Sequence, residues 1–181
     1  MADEKDLRAA LITSSDMGYA GEREDTSGDR LEEMLRAQGY KIAGRTILPD
    51  DRRMLEDEMK RLCDGGFCDV VFTTGGTGLS PRDIMPEATI AVADRMVPGI
   101  AEAMRAHSMQ YTRRAMLSRG VCAIRKSTLI VNLPGSPKAV KECLDAILSE
   151  LPHGIEILRG HTEHGARPAN DYKTGGADEK N

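Results

Sequence analysis

At 181 residues with 40% hydrophobic content, the chain is long enough to bury a sizeable core, and a single α/β domain is the expected organisation. A formal net charge of -4 and the lack of tryptophan argue against nucleic acid as a partner, because nucleic-acid binding needs a broad basic surface and aromatic platforms for bases. The N-terminus is acidic, unlike a signal peptide, and no apolar run is long enough to cross a bilayer. We therefore expect a cytoplasmic protein without a membrane partner.

The spacing of cysteine and histidine does not favour a metal site built from these residues. The four cysteines form no CxxC pair and have no nearby histidine, so reduced thiols in the core are the expected state. His161 and His164 fall in a polar C-terminal stretch, where solvent exposure is far commoner than metal binding. The cysteines are Cys63, Cys68, Cys122 and Cys143.

The first half of the chain alternates between strand and helix patterns. Nearly continuous apolar runs predict strands at 7–13, 40–48 and 69–74. A polar loop is expected at 14–28, and helices are expected at 29–38, from Asp50 or Asp51 to Gly65, and at about 86–96. This alternation predicts a mostly parallel sheet with helices on both faces.

The second half continues this pattern with one exception. A helix is predicted at 100–111, followed by two strands at 116–124 and 127–132 that form a hairpin or a bent strand. Ser136 and Pro137 are typical of an N-cap and first helical position, so another helix should begin there. A short helix or turn at 152–158 closes the domain, and residues 160–181 are too polar to pack and should form a flexible tail.

A glycine-rich loop follows the third predicted strand. The stretch TTGGTGLSPRD, residues 73–83, lacks the lysine of a P-loop and the third glycine of a dinucleotide-binding fingerprint. Glycines allow backbone N–H groups to approach an anion closely, so the loop is a plausible phosphate cradle, although a simple tight turn is the alternative. Ligands bind at the carboxyl ends of strands in open α/β sheets, which also brings Ser14 and Asp16 into the candidate site. The loop's candidate binding residues are Thr74, Gly75, Gly76, Thr77 and Gly78.

Two carboxylates follow neighbouring strand ends. Asp50 and Asp83 should lie on one edge of the sheet, and magnesium in proteins is commonly held by one or two carboxylates together with substrate phosphates. The alternative for Asp50 is a helix N-cap. For Asp83 it is an ion pair with Arg82 or a cap for the following helix.

Ser118 and Arg119 interrupt a predicted apolar strand and could both donate hydrogen bonds to an anionic ligand. A polar position on an edge strand is the alternative. Arg125, Lys126 and Lys138 add positive charge near the same strand ends, where solvation is their usual explanation. No Ser-His-Asp or Cys-His arrangement is evident, which disfavours a covalent mechanism.

Several motifs together resemble the molybdopterin-binding family of molybdenum cofactor biosynthesis. They are TTGGTGLSPRD with the following PEAT, then VPGIAEAMR, MLSR and NLPGSPKAVKECL. The resemblance implies a three-layer α/β/α domain over residues 1–159 and a homotrimer, and other proteins of the same biosynthesis as further partners. Adenylyltransferases of this family activate molybdopterin with ATP and magnesium, and they release pyrophosphate.

The resemblance also implies roles for individual residues. It makes Asp50 and Asp83 the functional and metal-binding carboxylates and places Ser118 at the pterin. It suggests that the glycine loop and Pro134, Gly135 and Ser136 bind the ligands, with Lys138 close by. The loop at 24–28 is similar to that of MoaB-type proteins, so a non-catalytic molybdopterin-binding or carrier protein is the alternative function.

Overall fold

The computed structural model describes residues 6–160 of the chain. Within this range the chain forms six β-strands, seven α-helices and one short 3-10 helix at Arg113–Leu117. The predicted tail beyond residue 160, with His161 and His164, lies outside the described residues. The strands are β1 Arg8–Ser14, β2 Lys41–Leu48, β3 Val70–Thr74, β4 Arg95–Met96, β5 Cys122–Arg125 and β6 Thr128–Leu133. The helices are α1 Asp16–Tyr19, α2 Thr26–Ala37, α3 Arg52–Asp64, α4 Met85–Val92, α5 Pro98–Ser108, α6 Pro137–Ile147 and α7 Leu151–Leu158.

The strands form one mixed sheet in the order β2-β1-β3-β6-β5-β4. Strands β2, β1, β3 and β6 run parallel, whereas β5 runs antiparallel to both of its neighbours. The prediction of a mostly parallel sheet is confirmed. Because the four parallel strands end at the same edge, the loops that follow them meet there.

The hydrophobic core lies on both faces of the sheet. Side chains of β3 alternate between the two faces: Phe72 packs with α2, α5, α6 and α7, while Val71 packs with α3 and α4. Each helical layer therefore covers an apolar sheet face that would otherwise be exposed to water, and this gives the predicted three-layer α/β/α sandwich. No helix within residues 6–160 has both the length and the apolar content needed to cross a membrane.

Local signals set several helix ends as expected. Ser136 caps α6 by accepting a hydrogen bond of 3.2 Å from the Ala139 amide, and Pro137 occupies the first helical position. Asp51, rather than Asp50, caps α3 by accepting a hydrogen bond of 2.9 Å from the Met54 amide. This leaves the Asp50 carboxylate available for another role.

Three predicted elements were wrong in part. The polar loop at 14–28 contains the short helix α1 and the start of α2, which Asp25 caps. The predicted helix at 86–96 ends at Val92, because the chain then turns to pair β4 with β5. The predicted strand at 116–124 begins only at Cys122, since the residues before it form the 3-10 helix and a loop.

Candidate active site

A cavity of about 450 Å³ opens at the carboxyl edge of the sheet. It is lined by the loops after β3 and β6, by helices α5 and α6, and by the segment 112–120, which contains the 3-10 helix. Its volume lies within the range of small-molecule binding sites. The predicted residues that line it are Gly76, Thr77, Gly78, Asp83, Ser118, Pro134, Gly135 and Ser136.

Glycines allow three strand-end loops to meet backbone to backbone. Gly75 has a φ of +86°, and a Cβ at this position would lie only 2.4 Å from the carbonyl oxygen of Ser14. A Cβ on Gly135 would lie 3.3 Å from the Cα of Gly75. The glycine loop therefore does more than turn the chain, because its backbone closes against the ends of β1 and β6 and contributes to the cavity wall.

Asp16 links the segments that carry the two candidate carboxylates. The Asp50 amide donates a hydrogen bond of 2.9 Å to Asp16 Oδ1, and Nη2 of Arg82 donates one of 2.6 Å to Asp16 Oδ2. These two interactions, led by the one from the Asp50 amide, lower the pKa of Asp16 below its usual value. Arg82 therefore pairs with Asp16, and not with Asp83 as the alternative for that residue would have it.

Asp50 and Asp83 border the glycine loop at different points. Ser14 Oγ donates a hydrogen bond of 2.5 Å to Asp50 Oδ1, and the same hydroxyl lies 3.4 Å from where a Cβ on Gly76 would be. Asp83 Oδ2 accepts a hydrogen bond of 2.9 Å from the Ser80 amide and lies 2.8 Å from where a Cβ on Gly78 would be. Asp83 does not cap α4, which has no side-chain cap.

The donor set at this edge fits magnesium. Carboxylate and hydroxyl oxygens are hard ligands, and Asp50, Asp83 and Ser14 supply them beside a loop rich in backbone N–H groups. No group of three or more His, Cys, Asp or Glu residues that could hold a metal is present within residues 6–160. A site of this kind relies on substrate phosphates and water for its remaining ligands, which is the usual situation for magnesium.

Ser118 and Arg119 lie in a loop and not in the predicted strand, and their side chains have different surroundings. Ser118 lines the cavity, and its Oγ accepts a hydrogen bond of 3.3 Å from the Gly120 amide. The Arg119 guanidinium instead contacts the backbone carbonyls of Gly78 and Asp83 and the carboxylate of Glu87. The strand predicted for Arg119 is thus wrong, and its guanidinium is held by acceptors of the protein itself.

Seven of the predicted residues are not among those that line the cavity: Ser14, Asp16, Asp50, Thr74, Gly75, Arg119 and Lys138. Thr74 is fully buried, and its hydroxyl donates a hydrogen bond of 3.2 Å to Thr13 Oγ1 inside the protein. The Lys138 side chain is 85% exposed and lies 3.9 Å from Glu142, at the surface of α6. Neither side chain is among those that line the cavity wall.

Sequence reasoning missed two arginines and an asparagine that line the cavity. Arg105 donates a hydrogen bond of 2.8 Å to the carbonyl of Gly120, and Arg114 extends from the 3-10 helix. Asn132 is buried, and its amide donates hydrogen bonds of 3.0 and 2.9 Å to the hydroxyls of Thr73 and Thr89. The spacing of the α5 residues that line the cavity could have revealed Arg105, because it lies on one helical face with Ala101, Met104 and Ser108.

Comparison with known proteins agrees with this geometry. Residues 10–153 match the family model described as a probable molybdopterin binding domain. This chain belongs to that molybdopterin-binding family. The match covers both carboxylates, the glycine loop and the Pro-Gly-Ser loop.

Individual members of the molybdopterin-binding family are similar over most of their length. A molybdopterin adenylyltransferase from Helicobacter pylori is 38% identical over 159 residues, which are 86% of this chain and 89% of the relative. A molybdopterin adenylyltransferase from Escherichia coli is 38% identical over 169 residues, covering 85% of this chain and 86% of the relative. Among solved structures, the molybdopterin biosynthesis enzyme MoaB from Thermus thermophilus has 43% sequence identity to this chain. The two structures superpose with a TM-score of 0.81, covering 85% of this chain and 97% of the MoaB chain.

Proposed function

We propose that this protein transfers the adenylyl group of ATP to molybdopterin in a magnesium-dependent reaction that releases pyrophosphate. The relatives named molybdopterin adenylyltransferase support this reaction. The single observation that carries it is the placement of Asp83, the glycine loop and Ser118 around one cavity. In this arrangement a loop suited to binding phosphate, a carboxylate and a serine hydroxyl line the same cavity.

The chemistry requires no nucleophile from the protein. A terminal phosphate oxygen of molybdopterin attacks the α-phosphorus of ATP, a new P–O bond forms, and the bond to the bridging oxygen breaks with its electron pair moving to pyrophosphate. When bound by Asp50 and Asp83, magnesium supplies positive charge that offsets the charge on the leaving group. Catalysis is then mostly a matter of orientation and electrostatic stabilisation.

The chain's own groups hold the reactants in place. Backbone N–H groups of the glycine loop offer hydrogen bonds to phosphate oxygens, and Ser14 orients Asp50 through its hydrogen bond of 2.5 Å. Ser118 and the Pro134-Gly135-Ser136 loop line the part of the cavity to which we assign the pterin. Arg105 and Arg114 add positive charge to the lining of the cavity, which suits a substrate with a phosphate group.

A non-catalytic molybdopterin-binding or carrier function is the second candidate. The loop at 24–28, which is similar to that of MoaB-type proteins, favours it, whereas the MoaB relative that is 43% identical is described as a molybdopterin biosynthesis enzyme. Such a protein would use the cavity and Ser118 but would not turn over ATP. The paired carboxylates would then have no catalytic role.

The proposal also covers the extent of the domain, the oligomeric state and the cellular location. We assign the molybdopterin-binding domain to residues 1–159, in keeping with the family match over 10–153. The family resemblance supports a homotrimer in the cytoplasm that exchanges its substrate or product with other proteins of molybdenum cofactor biosynthesis.

The deciding experiment measures pyrophosphate release from ATP with magnesium, in the presence and absence of molybdopterin. Release that depends on the pterin, with an adenylylated pterin as product, would establish the transferase. Pterin binding without any release of pyrophosphate would establish the carrier function instead. Nucleotide binding without affinity for the pterin would contradict both.

A further inference from the structure

The Arg119 side chain forms hydrogen bonds with both ends of the segment 78–83, which carries Asp83. Its Nε donates a hydrogen bond of 2.7 Å to the carbonyl oxygen of Gly78, and its Nη2 donates one of 2.5 Å to the carbonyl oxygen of Asp83. Its Nη1 bonds the carboxylate of Glu87 in the first turn of α4. One planar group thus fixes the start and the end of the segment 78–83 and ties both to a helix.

The residue before Arg119 lies in the cavity. Ser118 lines the cavity wall, and the backbone amide of Arg119 donates a hydrogen bond of 2.8 Å to the carbonyl oxygen of Thr77. The segment that carries Ser118 is therefore joined to the glycine loop through both the main chain and the side chain of its neighbour. A shift of the Arg119 side chain would change the position of Asp83 relative to Ser118.

The segment 78–83 has little else to hold it. Leu79, its large apolar residue, is 65% exposed and does not anchor it in the core. Within the segment, Asp83 bonds Ser80 through its amide and through its carboxylate, which shapes the turn without fixing its position on the protein. The Arg82 side chain reaches Asp16, but that pair is exposed to solvent and such pairs contribute little.

We propose that Arg119 is a positioning residue for the transfer reaction, which holds the Asp83 carboxylate in a fixed position relative to Ser118 in the cavity. The inference rests on the proposed adenylyl transfer. It assigns Arg119 no contact with either substrate. Lysine cannot replace it, because a single ammonium group cannot reach three acceptors arranged around a planar fork.

The test uses three variants and a matched control. Arg119→Ala removes all three side-chain contacts, and Arg119→Lys keeps only the positive charge. Glu87→Gln keeps Arg119 but weakens one of its three contacts. Arg125→Ala is the control, since Arg125 also makes three contacts, to both Asp64 oxygens at 2.8 and 2.6 Å and to the Val92 carbonyl at 2.9 Å. Arg125 does not line the cavity, so its loss changes stability without moving Asp83.

Three measurements are compared among these proteins: kcat and KM for pyrophosphate release, the Kd of magnesium-ATP by calorimetry, and amide hydrogen exchange of residues 77–83. We expect Arg119→Ala and Arg119→Lys to lower kcat about 100-fold, the loss that misplacement of a reacting group by about 1 Å can cause. KM for the pterin should change little. Exchange of the segment should rise in both variants and remain unchanged in Arg125→Ala. Glu87→Gln should show a smaller change in the same direction.

Chemical rescue separates positioning from general stability. Added guanidinium, at concentrations far below those that unfold the protein, should restore part of the kcat of Arg119→Ala and leave the kcat of Arg125→Ala unchanged. Equal kinetic effects in the Arg119 and Arg125 variants, or unchanged exchange of residues 77–83 in Arg119→Ala, would overturn the proposal. If the wild-type protein releases no pyrophosphate, adenylyl transfer is wrong, and exchange and the magnesium-ATP Kd alone decide whether Arg119 positions the loop.

Discussion

The hydroxyl of Ser14 donates a hydrogen bond of 2.5 Å to Oδ1 of Asp50, which joins the last residue of β1 to the loop that follows β2. Carboxylates that bind metal ions depend on such outer partners for their orientation, and loss of a partner typically costs about 10- to 100-fold in affinity or activity. We expect Ser14→Ala to raise the magnesium concentration needed for half-maximal pyrophosphate release by about 10-fold. Ser149→Ala serves as the control, because Ser149 is exposed and its hydroxyl donates a hydrogen bond to the neighbouring Glu150. An unchanged magnesium dependence in Ser14→Ala would show that this hydrogen bond does not orient Asp50.

Asp50 and Asp51 should differ sharply in their effect on turnover. Asp50→Asn removes a candidate metal ligand, so pyrophosphate release should fall below detection while the thermal midpoint stays near the wild-type value. Asp51→Asn should leave both quantities nearly unchanged, because asparagine caps helices about as well as aspartate. Asp83→Asn should behave like Asp50→Asn. Normal turnover in Asp83→Asn would remove this residue from the metal site.

Gly75 should be far less tolerant of a side chain than Gly39. Both have positive φ values, +86° and +83°, but a Cβ on Gly75 would meet the Ser14 carbonyl at 2.4 Å, whereas one on Gly39 would meet nothing within 4 Å. Gly39→Ala should cost about 1 kcal/mol from the backbone conformation alone. Gly75→Ala should cost roughly 2 to 4 kcal/mol, since strain and displacement of the loop add to this. Urea unfolding of the two variants measures the difference, and equal losses would mean that the loop yields freely.

A buried carboxylate behind the glycine loop should make stability depend on pH. The Asp25 side chain is only 4% exposed, and this burial alone would raise its pKa, but hydrogen bonds from Thr13, the Gly28 amide and Arg45 outweigh burial and lower the pKa below the ordinary value of 3.8. The resulting stabilisation is complete above that ordinary value, and it is lost as the pH falls through it towards the pKa of the folded state.

Asp25→Asn should therefore weaken the protein at neutral pH and flatten its response to acid. The change replaces a carboxylate surrounded by donors with an amide, and we expect a loss of roughly 2 to 3 kcal/mol at about pH 7 that shrinks below about pH 4. Asp29→Asn is the control, because Asp29 also pairs with Arg45, at 2.7 Å, but its side chain is 67% exposed. Denaturant unfolding between about pH 3 and pH 7 measures both variants. A constant difference across this range would contradict the role of the Asp25 charge.

The thiols should be unreactive in the folded protein. All four cysteines are buried and free, and burial raises the pKa of Cys63 and of Cys122 to about 12 and that of Cys68 to about 11. The thiolate is the reactive form, so an aromatic disulfide reagent at about pH 8 should modify the native protein only very slowly. In denaturant all of them should react at once. Rapid modification before unfolding would reveal an opening of the core, and Cys143, which lines the cavity, would be the first place to look.

Local patterns in the sequence were sufficient for most of the fold. Continuous apolar runs such as 69–74 identified the buried parallel strands, since both faces of these strands are covered by helices. Ser136 with Pro137 predicted the start of α6, because capping depends on neighbouring residues alone. The glycine loop and the two carboxylates could be predicted to lie at one edge of the sheet, because parallel strands must end there.

Only the tertiary structure decided which partners the residues at this edge of the sheet contact. Arg119 could be predicted to contact an anionic ligand, but its acceptors lie within the protein: the carbonyls of Gly78 and Asp83, 41 and 36 residues away along the chain, and the carboxylate of Glu87. Arg82 pairs with Asp16 from another strand end, and β4 exists only because β5 offers it a partner. Sequence spacing determines which groups a strand end presents, because strand and helix periods are local properties of the chain. It does not determine which hydrogen-bond partner each group finds, because those partners arrive from distant segments when the layers pack.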